Sequence, residues 1–483
     1  MTTGVTSSAL DLGFLLNGKR HVEGDRIEIR APGTGQLVGS TRRATSAHVE
    51  EAIQGAQRAF EITRRMGGFE RQRILRNISH GVERQREDLS RLVALEAGKP
   101  LKAARVEVDR AAFAFAIAAE EAVRVGGEYL PLDWQAAAAG KWGIVRRFPL
   151  GPILAITPFN FPVNLVVHKL APAIATGCPI VLKPAPQTPL CSLRLGEIIE
   201  DAGWPAGGLN VLPLSNDDAE RLVSDDRLKL LSFTGSTAVG WALKQKAGKK
   251  KVVLELGGNA GVIVCADASL EYAAERCVLG GFAYAGQTCI SVQRILVEET
   301  AFDEFANALV HRVQRLKVGD VLDEHTDVGP LINEGAAQRV AEWVDEAVKG
   351  GAKLLCGGKR HGGTVAPTVL THTKPGMRVN CREIFGPVVT VEKFYDFSEA
   401  LAALNDSDFG LQAGLFTRDF ARITKAFETL DVGGLMVGEV PSWRIDHMPY
   451  GGVKDSGVGR EGIRYAMEEM TEPRLLAIHP QGI

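Results

Sequence analysis

A cysteine in an irregular setting is the first candidate for chemistry in this sequence. Cys289 follows an apolar, helix-like run and a Gly286-Gln287 step that favours neither a helix nor a strand. Because a thiolate is a strong nucleophile, Cys289 is a candidate for covalent catalysis. The alternative is that Cys289 is a small buried hydrophobic residue, as free cysteines usually are. The residues found elsewhere in the chain decide between the two interpretations.

Two polar residues follow short apolar strands. Glu255 is the penultimate residue of the run 251–256, which Gly257 and Gly258 follow, and taken by itself it reads as a solvated carboxylate at the end of a strand. Asn160 lies in the turn after the apolar run 152–157.

Two glycine-rich segments are candidates for binding a dinucleotide. Gly235-Ser-Thr-Ala-Val-Gly240 follows an apolar strand and opens a helix, whose first amides are suited to face pyrophosphate, although a turn without a ligand has the same pattern. Gly457-Val-Gly-Arg-Glu-Gly462 matches G-x-G-x-x-G, but no apolar strand precedes it and the chain ends before a βαβ unit is complete. The first segment is therefore the better candidate.

Composition limits the classes of protein that the chain can belong to. The 483 residues are 45% hydrophobic and 24% charged, with a net charge of -2, which is typical of a globular protein and predicts binding to neither nucleic acid nor a membrane.

Seven cysteines show no Cys-x-x-Cys pair and no histidine at zinc-ligand spacing, so we expect no metal site and a reducing compartment. The first eight residues lack signal-peptide features and no apolar run spans a membrane, so we expect a cytoplasmic protein.

Short buried strands alternate with helices along most of the chain, which predicts an α/β protein with parallel sheets. Helical periodicity predicts a single helix over 69–95. The segments 126–131 and 142–148 flank the alanine-rich segment 136–141 and read as a projecting hairpin, and we expect residues 473–479 to add a last strand to it. This ribbon is a candidate subunit contact.

Four motifs taken together resemble the aldehyde dehydrogenase superfamily. In chain order they are Thr157-Pro-Phe-Asn-Phe-Pro162, Leu254-Glu-Leu-Gly-Gly258, Gly286-Gln-Thr-Cys289 and Glu383-Ile-Phe-Gly-Pro387. The resemblance implies an α/β fold with a Rossmann-like cofactor domain (1–126 and 147–256), an α/β catalytic domain (257–445) and a β-hairpin oligomerisation ribbon (127–146 and 470–483). It also implies a homodimer or homotetramer.

The resemblance implies a reaction as well. An aldehyde is oxidised to a carboxylic acid with reduction of NAD or NADP, through a thiohemiacetal and a thioester on Cys289, and water activated by Glu255 hydrolyses the thioester. Asn160 stabilises the oxyanion, and Glu468 falls where many members carry a second acid. Contacts with the cofactor are implied for Thr157, Phe159, Lys183, Pro186, Gly235, Ser236, Glu383 and Phe385.

The choice between NAD and NADP stays open at this point. Many NAD-preferring members have a glutamate three residues after the lysine, where this chain has Pro186, and that departure weakens the case for strict use of NAD. In contrast, the carboxylates of Asp217 and Asp218, in the segment 215–218, would disfavour a 2'-phosphate.

The segment 441–447 resembles the subgroup that includes lactaldehyde and phosphonoacetaldehyde dehydrogenases. Contacts with the substrate are then implied for Phe161, Thr288, Arg444 and Tyr450. Arg444 either binds a carboxylate or hydroxyl of a short substrate, or forms a structural ion pair with Asp446 or Glu439. Thr288 adds no second cation, so a neutral or singly charged aldehyde is favoured over a doubly charged phosphonate.

Two alternatives share the resemblance. In a CoA-acylating semialdehyde dehydrogenase CoA resolves the thioester and the catalytic glutamate is typically missing, so the presence of Glu255 argues against this reaction. A catalytically inactive structural relative would keep the fold and lose the site. The joint presence of Cys289, Glu255 and Asn160 argues against it.

Overall fold

The computed structural model describes residues 10–480. The expectations for the first eight residues, and for the last three residues of the ribbon segment 470–483, lie outside the described range. Within residues 10–480, no helix is long and apolar enough to cross a membrane.

The described residues form α-helices, β-strands and three short 3-10 turns. The helices are α1 Ser46–Thr63, α2 Gly68–Arg84, α3 Arg86–Ala97, α4 Leu101–Ala122, α5 Asn164–Thr176, α6 Pro189–Asp201, α7 Asn216–Ser224, α8 Thr237–Lys246, α9 Leu270–Phe282, α10 Phe302–Val313, α11 Glu334–Lys349, α12 Arg378–Cys381, α13 Phe397–Asn405, α14 Phe420–Thr429 and α15 Ile463–Glu469. The strands are β1 Leu10–Asp11, β2 Phe14–Leu16, β3 Lys19–His21, β4 Arg26–Arg30, β5 Leu37–Arg42, β6 Gly127–Pro131, β7 Trp142–Pro149, β8 Ile153–Ile156, β9 Ile180–Lys183, β10 Leu209–Val211, β11 Leu230–Thr234, β12 Lys251–Glu255, β13 Ala260–Val264, β14 Val292–Glu298, β15 Lys353–Cys356, β16 Arg360–His361, β17 Thr364–Val365, β18 Thr368–Thr371, β19 Val388–Phe394, β20 Phe409–Gly410, β21 Gln412–Phe416, β22 Gly434–Val437, β23 Val453–Lys454, β24 Gly457–Val458 and β25 Thr471–Ile478.

The first large sheet has eight strands in the order β24-β12-β11-β8-β9-β10-β2-β3. Its centre, from β12 to β10, is parallel, and β8, β9 and β11 are buried over their whole length, as expected for strands covered on both faces. The strand order reverses between β8 and β11, because the chain leaves β8 towards β9 and returns on the other side with β11. Open α/β sheets bind ligands at such a reversal, outside the carboxyl ends of the strands.

Antiparallel strands close both edges of this sheet. β24 pairs with β12 through Leu254 and Glu255, so the Gly457–Gly462 motif begins as an edge strand rather than as a dinucleotide-binding turn. At the other edge, β2 and β3 form the predicted hairpin, with Asn17 and Gly18 at φ of 51° and 76°. Positive φ at both central residues is what a two-residue hairpin turn requires.

The second large sheet has seven strands in the order β15-β18-β19-β14-β13-β21-β22 and is parallel except for β15. β13 begins five residues after Glu255, and β14 begins three residues after Cys289. Glu255 is therefore the last residue of the first sheet before the connection to the second, and Cys289 lies in a loop of the second sheet.

The third sheet is the predicted ribbon. β6 and β7 form an antiparallel hairpin, and β25 pairs with β7 from Thr471 opposite Pro149 to Ile478 opposite Trp142, which confirms the expected last strand. Its apolar side chains are solvent-exposed, including Tyr129, Leu475, Leu476 and, at 87% exposure, Trp134.

Two details differ from the sequence-based expectations. The single helix expected over 69–95 is two helices, α2 and α3, because the backbone of Gln85 leaves the helical region at φ -100° and ψ 16°. The division of the chain into a cofactor domain and a catalytic domain stays a prediction. Residues 446–469, which it left unassigned, contain β24 and α15, and β24 belongs to the first sheet.

Candidate active site

A strained turn positions Cys289. After α9 the chain forms a 3-10 turn in which Tyr284, Ala285 and Gly286 have φ of 50°, 53° and 69°. Left-handed backbone is costly for residues other than glycine, and such strain persists only where surrounding contacts hold it. One of these contacts is the hydroxyl of Tyr284, which donates to the carbonyl oxygen of Ala97 over 2.7 Å. The turn ends α9 and directs the chain to Cys289.

Gln287 ties this turn to the loop that carries Asn160. The Asn160 Nδ2 amide, between β8 and α5, donates to the carbonyl oxygen of Gln287 over 2.9 Å. The Gln287 side chain in turn accepts from the backbone amide of Ile332 over 2.9 Å. One N–H of the Asn160 amide is thereby used, and the other remains for an oxyanion formed on Cys289.

Glycines at the end of β12 let three loops approach closely. A Cβ atom on Gly258 would lie 2.2 Å from the carbonyl oxygen of Cys289, and one on Gly257 would lie 2.6 Å from Oε2 of Glu383. Oε1 of Glu383 accepts a hydrogen bond from the amide of Gly258 over 3.0 Å. Any side chain at position 258 would push the Cys289 loop away from β12.

Glu255 is buried without compensation. Its side chain is on the last residue of β12, the residue is 2% exposed, and neither carboxyl oxygen has a hydrogen-bond partner among the described residues. Burial raises the pKa of Glu255 well above its usual range, and the nearby charge of Glu461 raises it further. Burial therefore favours the protonated form of this carboxyl group.

Glu461 is a residue of the site that the sequence did not reveal. It lies between Lys169 Nζ at 3.1 Å and Arg444 Nη2 at 3.3 Å, and all three side chains are buried. Burial alone would raise the pKa of Glu461, but the charges of Lys169 and Arg444 outweigh it and hold the pKa at about 2. Two cations and one anion therefore lie beside Glu255.

The sequence pointed to Glu468 as the second acid, but Glu468 is half-exposed on α15, with its carboxylate 3.6 Å from Arg464. No sequence signal marked Glu461, which lies three residues after β24 in Gly459-Arg-Glu-Gly462. Only the pairing of β24 with the end of β12 brings it close to Glu255.

Arg444 forms an ion pair, but with a partner other than the expected ones. It is 6% exposed and bonded to Glu461, whereas Glu439 pairs with Arg276 over 2.8 Å. Asp446 accepts instead from Arg110 over 2.7 Å and lies 2.8 Å from His168 Nε2. The prediction that Asp446 or Glu439 pairs with Arg444 is wrong, because both carboxylates already have other partners.

Cys289 is partly exposed, and its sulfur lies 3.1 Å from the hydroxyl oxygen of Tyr450. Burial of the thiol raises the pKa of Cys289 to about 12, and the hydrogen bond with Tyr450 opposes this shift. The nucleophile candidate is thus a thiol in this form, and its ionisation depends on the polar groups around it.

The other predicted substrate contacts lie around this thiol. Thr288 precedes Cys289 and is partly exposed. The ring of Phe161 packs edge-on against Tyr284 at 6.2 Å and lies 3.6 Å from the ammonium of Lys99, a buried lysine that pairs with Glu107. The amides of Val163 and Asn164 donate to Glu107, so the Lys99–Glu107 pair fixes the start of α5 next to Asn160.

The predicted cofactor residues fall around the strand reversal of the first sheet. Thr157 follows β8, Lys183 ends β9, and Gly235 and Ser236 precede α8. Lys183 is 5% exposed, has no hydrogen-bond partner among residues 10–480, and burial lowers its pKa. A buried ammonium without a protein partner fits a site whose ligand supplies hydroxyl or phosphate oxygens.

Two further groups extend this crevice towards Cys289. The rings of Phe159 and Phe385 meet edge-on at 6.0 Å, and Phe385 has φ of 50°. Burial raises the pKa of the neighbouring Glu383 to about 7. Pro186 is exposed in the turn before α6. Among the described residues, no group of three or more His, Cys, Asp or Glu side chains is placed to hold a metal ion.

The thiol of Cys289, the amide of Asn160 and the unpaired carboxyl group of Glu255 thus meet at the carboxyl ends of the strands of the first sheet. The four sequence motifs imply this arrangement. The model of the aldehyde dehydrogenase family matches residues 20–476. The chain belongs to the aldehyde dehydrogenase family. It is an NAD(P)-dependent aldehyde dehydrogenase that oxidises an aldehyde to the acid, which confirms the predicted family, fold class and overall reaction. The roles of Cys289, Glu255 and Asn160 stay predictions.

Relatives of this aldehyde dehydrogenase are similar over nearly their whole length. A 3-sulfolactaldehyde dehydrogenase from Priestia aryabhattai is 42% identical over 97% of this chain and 98% of its own. The crystal structure of aldehyde dehydrogenase 21 from Physcomitrella patens, in complex with the reaction product succinate, has a TM-score of 0.97 at 42% identity and covers 98% of this chain and 99% of its own. A glyceraldehyde-3-phosphate dehydrogenase from Methanocaldococcus jannaschii, complexed with NADP, has a TM-score of 0.91 at 38% identity, covering 94% and 99%.

The unpaired burial of Glu255 predicts a pH-dependent effect on stability. A carboxyl group whose pKa is raised by folding binds a proton that the unfolded chain releases above about pH 4.5, so stability is lost as pH rises. We expect Glu255→Gln to be more stable than the parent, by a difference that grows by up to about 1.4 kcal/mol per pH unit between pH 5 and 8. Thermal unfolding of the cofactor-free protein measures this difference.

Glu298→Gln is the matched control. The hydrogen bond from Arg422 lowers the pKa of Glu298, so Glu298 is ionised throughout this range in the folded and unfolded chain, and the stability difference of that variant should not change with pH. A constant difference for Glu255→Gln as well would mean that Glu255 is ionised in the folded protein.

Proposed function

We propose that Cys289 is the nucleophile of this aldehyde dehydrogenase, that Asn160 stabilises the oxyanion and that Glu255 is the base for hydrolysis. The observation that carries the proposal is the convergence of a partly exposed thiol, an amide with a spare N–H and a carboxyl group without a partner. The Cys289 sulfur attacks the aldehyde carbon, and the N–H groups of Asn160 and of the Cys289 backbone donate to the resulting oxyanion.

Hydrolysis of the thioester on Cys289 then requires a base. Ionised Glu255 accepts a proton from water as the water oxygen attacks the thioester carbon, and the Cys289 sulfur leaves. Burial raises the pKa of Glu255, which makes its ionised carboxylate a stronger base than an exposed carboxylate. Lys169 and Arg444 stabilise the ionised carboxylate, and ionised Glu461 opposes it.

The cofactor site would be built from Lys183, Ser236 and Glu383, together with the apolar pair Phe159 and Phe385. The nicotinamide ring supplies the hydride acceptor when it is bound. The buried Lys183 and the first amides of α8, which no side chain caps, are suited to ribose and phosphate oxygens.

We propose that both NAD and NADP are accepted. Position 186 has no carboxylate. The carboxylate of Asp218 accepts a hydrogen bond from the hydroxyl of Ser215 over 2.7 Å, and Ser215 caps the start of α7. Asp218 is thereby held at the start of α7 and is less available to repel a 2'-phosphate.

The substrate that we propose is a short, singly charged anionic aldehyde. Lys169 and Arg444 exceed the one ionised Glu461 by one positive charge, and burial of Glu255 raises its pKa, which disfavours a second anion there. Two named relatives support this class, since sulfolactaldehyde carries one sulfonate and succinate is the product of an aldehyde that carries one carboxylate. Because Glu461 and Tyr450 hold Arg444, it acts on the substrate through its field rather than through a bidentate contact.

We propose that copies of the chain assemble through the three-stranded sheet. Tyr129, Trp134, Leu475 and Leu476 expose apolar area on this sheet, and β6 is a free edge among the described strands, so a homodimer or homotetramer would bury both. The seven free cysteines suit a reducing, cytoplasmic setting.

Replacing the nucleophile tests the central assignment. Cys289→Ala should lower kcat by at least about a thousandfold, because no thioester can form, while binding of reduced cofactor, followed by fluorescence, persists. Cys381→Ala removes an exposed thiol and is the matched control, with unchanged turnover. Appreciable turnover by Cys289→Ala, with the parent's cofactor affinity, would remove Cys289 from the role of nucleophile.

Exchange of Arg444 tests the substrate class. With its positive charge removed, Arg444→Leu should raise KM for succinic semialdehyde about tenfold more than KM for the neutral lactaldehyde, and Arg444→Lys should restore most of the difference. Because both KM values are measured on the same variant, a partial loss of folded protein does not affect their ratio. Equal changes in KM for both aldehydes would assign Arg444 to structure alone.

A further inference from the structure

One polar group at the site has no part in the reaction described so far. The hydroxyl of Tyr450 lies 3.1 Å from the sulfur of Cys289, and the Tyr450 ring is buried against Ile290 and Leu411. An apolar wall for the substrate would need only the ring, and a buried hydroxyl group is costly unless it is hydrogen-bonded. The partner of this hydroxyl is the candidate nucleophile itself.

We propose that Tyr450 is a catalytic residue whose hydroxyl donates a hydrogen bond to the Cys289 thiolate and so favours formation of the nucleophile. The inference rests on the proposed role of Cys289. When the thiolate forms, the S–H bond of Cys289 breaks and the proton leaves to a solvent base, since the residue is partly exposed. The O–H bond of Tyr450 stays intact, and neither a proton nor an electron passes to or from the ring.

The chemistry of the two groups determines the direction of this hydrogen bond. In the neutral thiol form either atom is able to donate, but a thiolate is only an acceptor, and the phenol is then the donor. A hydrogen bond to a charged acceptor is about twice as strong as one between neutral groups. The contact therefore stabilises the thiolate more than the thiol, and it opposes the effect of burial on Cys289.

Arg444 strengthens the donor. Its guanidinium carbon lies 3.6 Å from the centroid of the Tyr450 ring, where a cation attracts the electrons of the ring and makes the phenol a better hydrogen-bond donor. Glu461 and the ring nitrogens of His168, at 3.3 and 3.5 Å from Arg444 Nη2, keep the guanidinium in place. Asp446 holds His168 from behind over 2.8 Å.

Charged groups from several loops also act on Cys289. Besides Tyr450, the groups that influence its ionisation are Glu255 at the end of β12, Glu383 before β19 and Arg444 in the same segment as Tyr450. Burial raises the pKa of both carboxyl groups, so the effect of their charge on Cys289 changes with pH. The effect of Tyr450 is therefore measured by comparing the pH dependence of Cys289 labelling in the parent with that in variants that keep Glu255, Glu383 and Arg444.

The test is alkylation of Cys289 in the cofactor-free full-length protein. Iodoacetamide reacts with the thiolate, so the rate at which the Cys289 peptide is carboxamidomethylated, followed by mass spectrometry over a range of pH, reports ionisation of this thiol alone. We expect Tyr450→Phe to move the pH dependence about one unit upward, so that labelling at a fixed pH is about tenfold slower. Tyr395→Phe, at a position that is 71% exposed, is the matched control and should coincide with the parent.

A second variant should shift the pH dependence of Cys289 labelling in the opposite direction. Incorporation of 3-fluorotyrosine at position 450 makes the phenol a stronger donor, and the pH dependence should then move downward. An unchanged labelling profile in Tyr450→Phe, with the thermal stability and cofactor binding of the parent, would overturn the role of Tyr450. If the labelled parent still turned over aldehyde, Cys289 would not be the nucleophile, and the proposed function would fail first.

Discussion

Burial of a carboxyl group without a partner is the constraint on which the rest of the site depends. Glu255 lies at the end of β12 with both oxygens unpaired, and ionising it there is costly unless cations lie nearby. Lys169 and Arg444 supply positive charge, but Glu461 neutralises part of it. Burial and Glu461 raise the pKa of Glu255, and the two cations oppose this shift, so the ionisation of Glu255 depends on these neighbouring charges.

The fold brings these groups together from distant parts of the chain. The strand reversal of the first sheet opens a crevice at the carboxyl ends of β8 and β11, next to β12 and Glu255. The left-handed turn after α9 brings Cys289 from the second half, and Gly258 lets the two halves approach. β24 then returns from the end of the chain to pair with β12 and brings Glu461 with it. A single edge strand thus couples the last part of the sequence to the chemistry.

Sequence reasoning reached those parts that local patterns encode. The Asn17-Gly18 hairpin, the alternation of strands and helices, the pairing of the last strand with the ribbon, and the residues Cys289, Glu255 and Asn160 all follow from short motifs. The break at Gln85 does not, because helical periodicity continues across it. Glu461 and the partner of Arg444 were also missed, since both depend on pairing between β24 and β12, some two hundred residues apart, which no spacing in the sequence expresses.

The central claim is that Glu255 acts after a covalent intermediate has formed on Cys289, and the mass of that intermediate tests it most directly. Glu255→Gln is mixed with aldehyde and oxidised cofactor, quenched in acid within one turnover, and analysed by mass spectrometry. The account predicts about one acyl group per chain, carried by the Cys289 peptide, with release of reduced cofactor in a burst followed by a stall. Slow turnover without any acyl group on Cys289 would contradict it, because Glu255 would then be needed before the thioester forms.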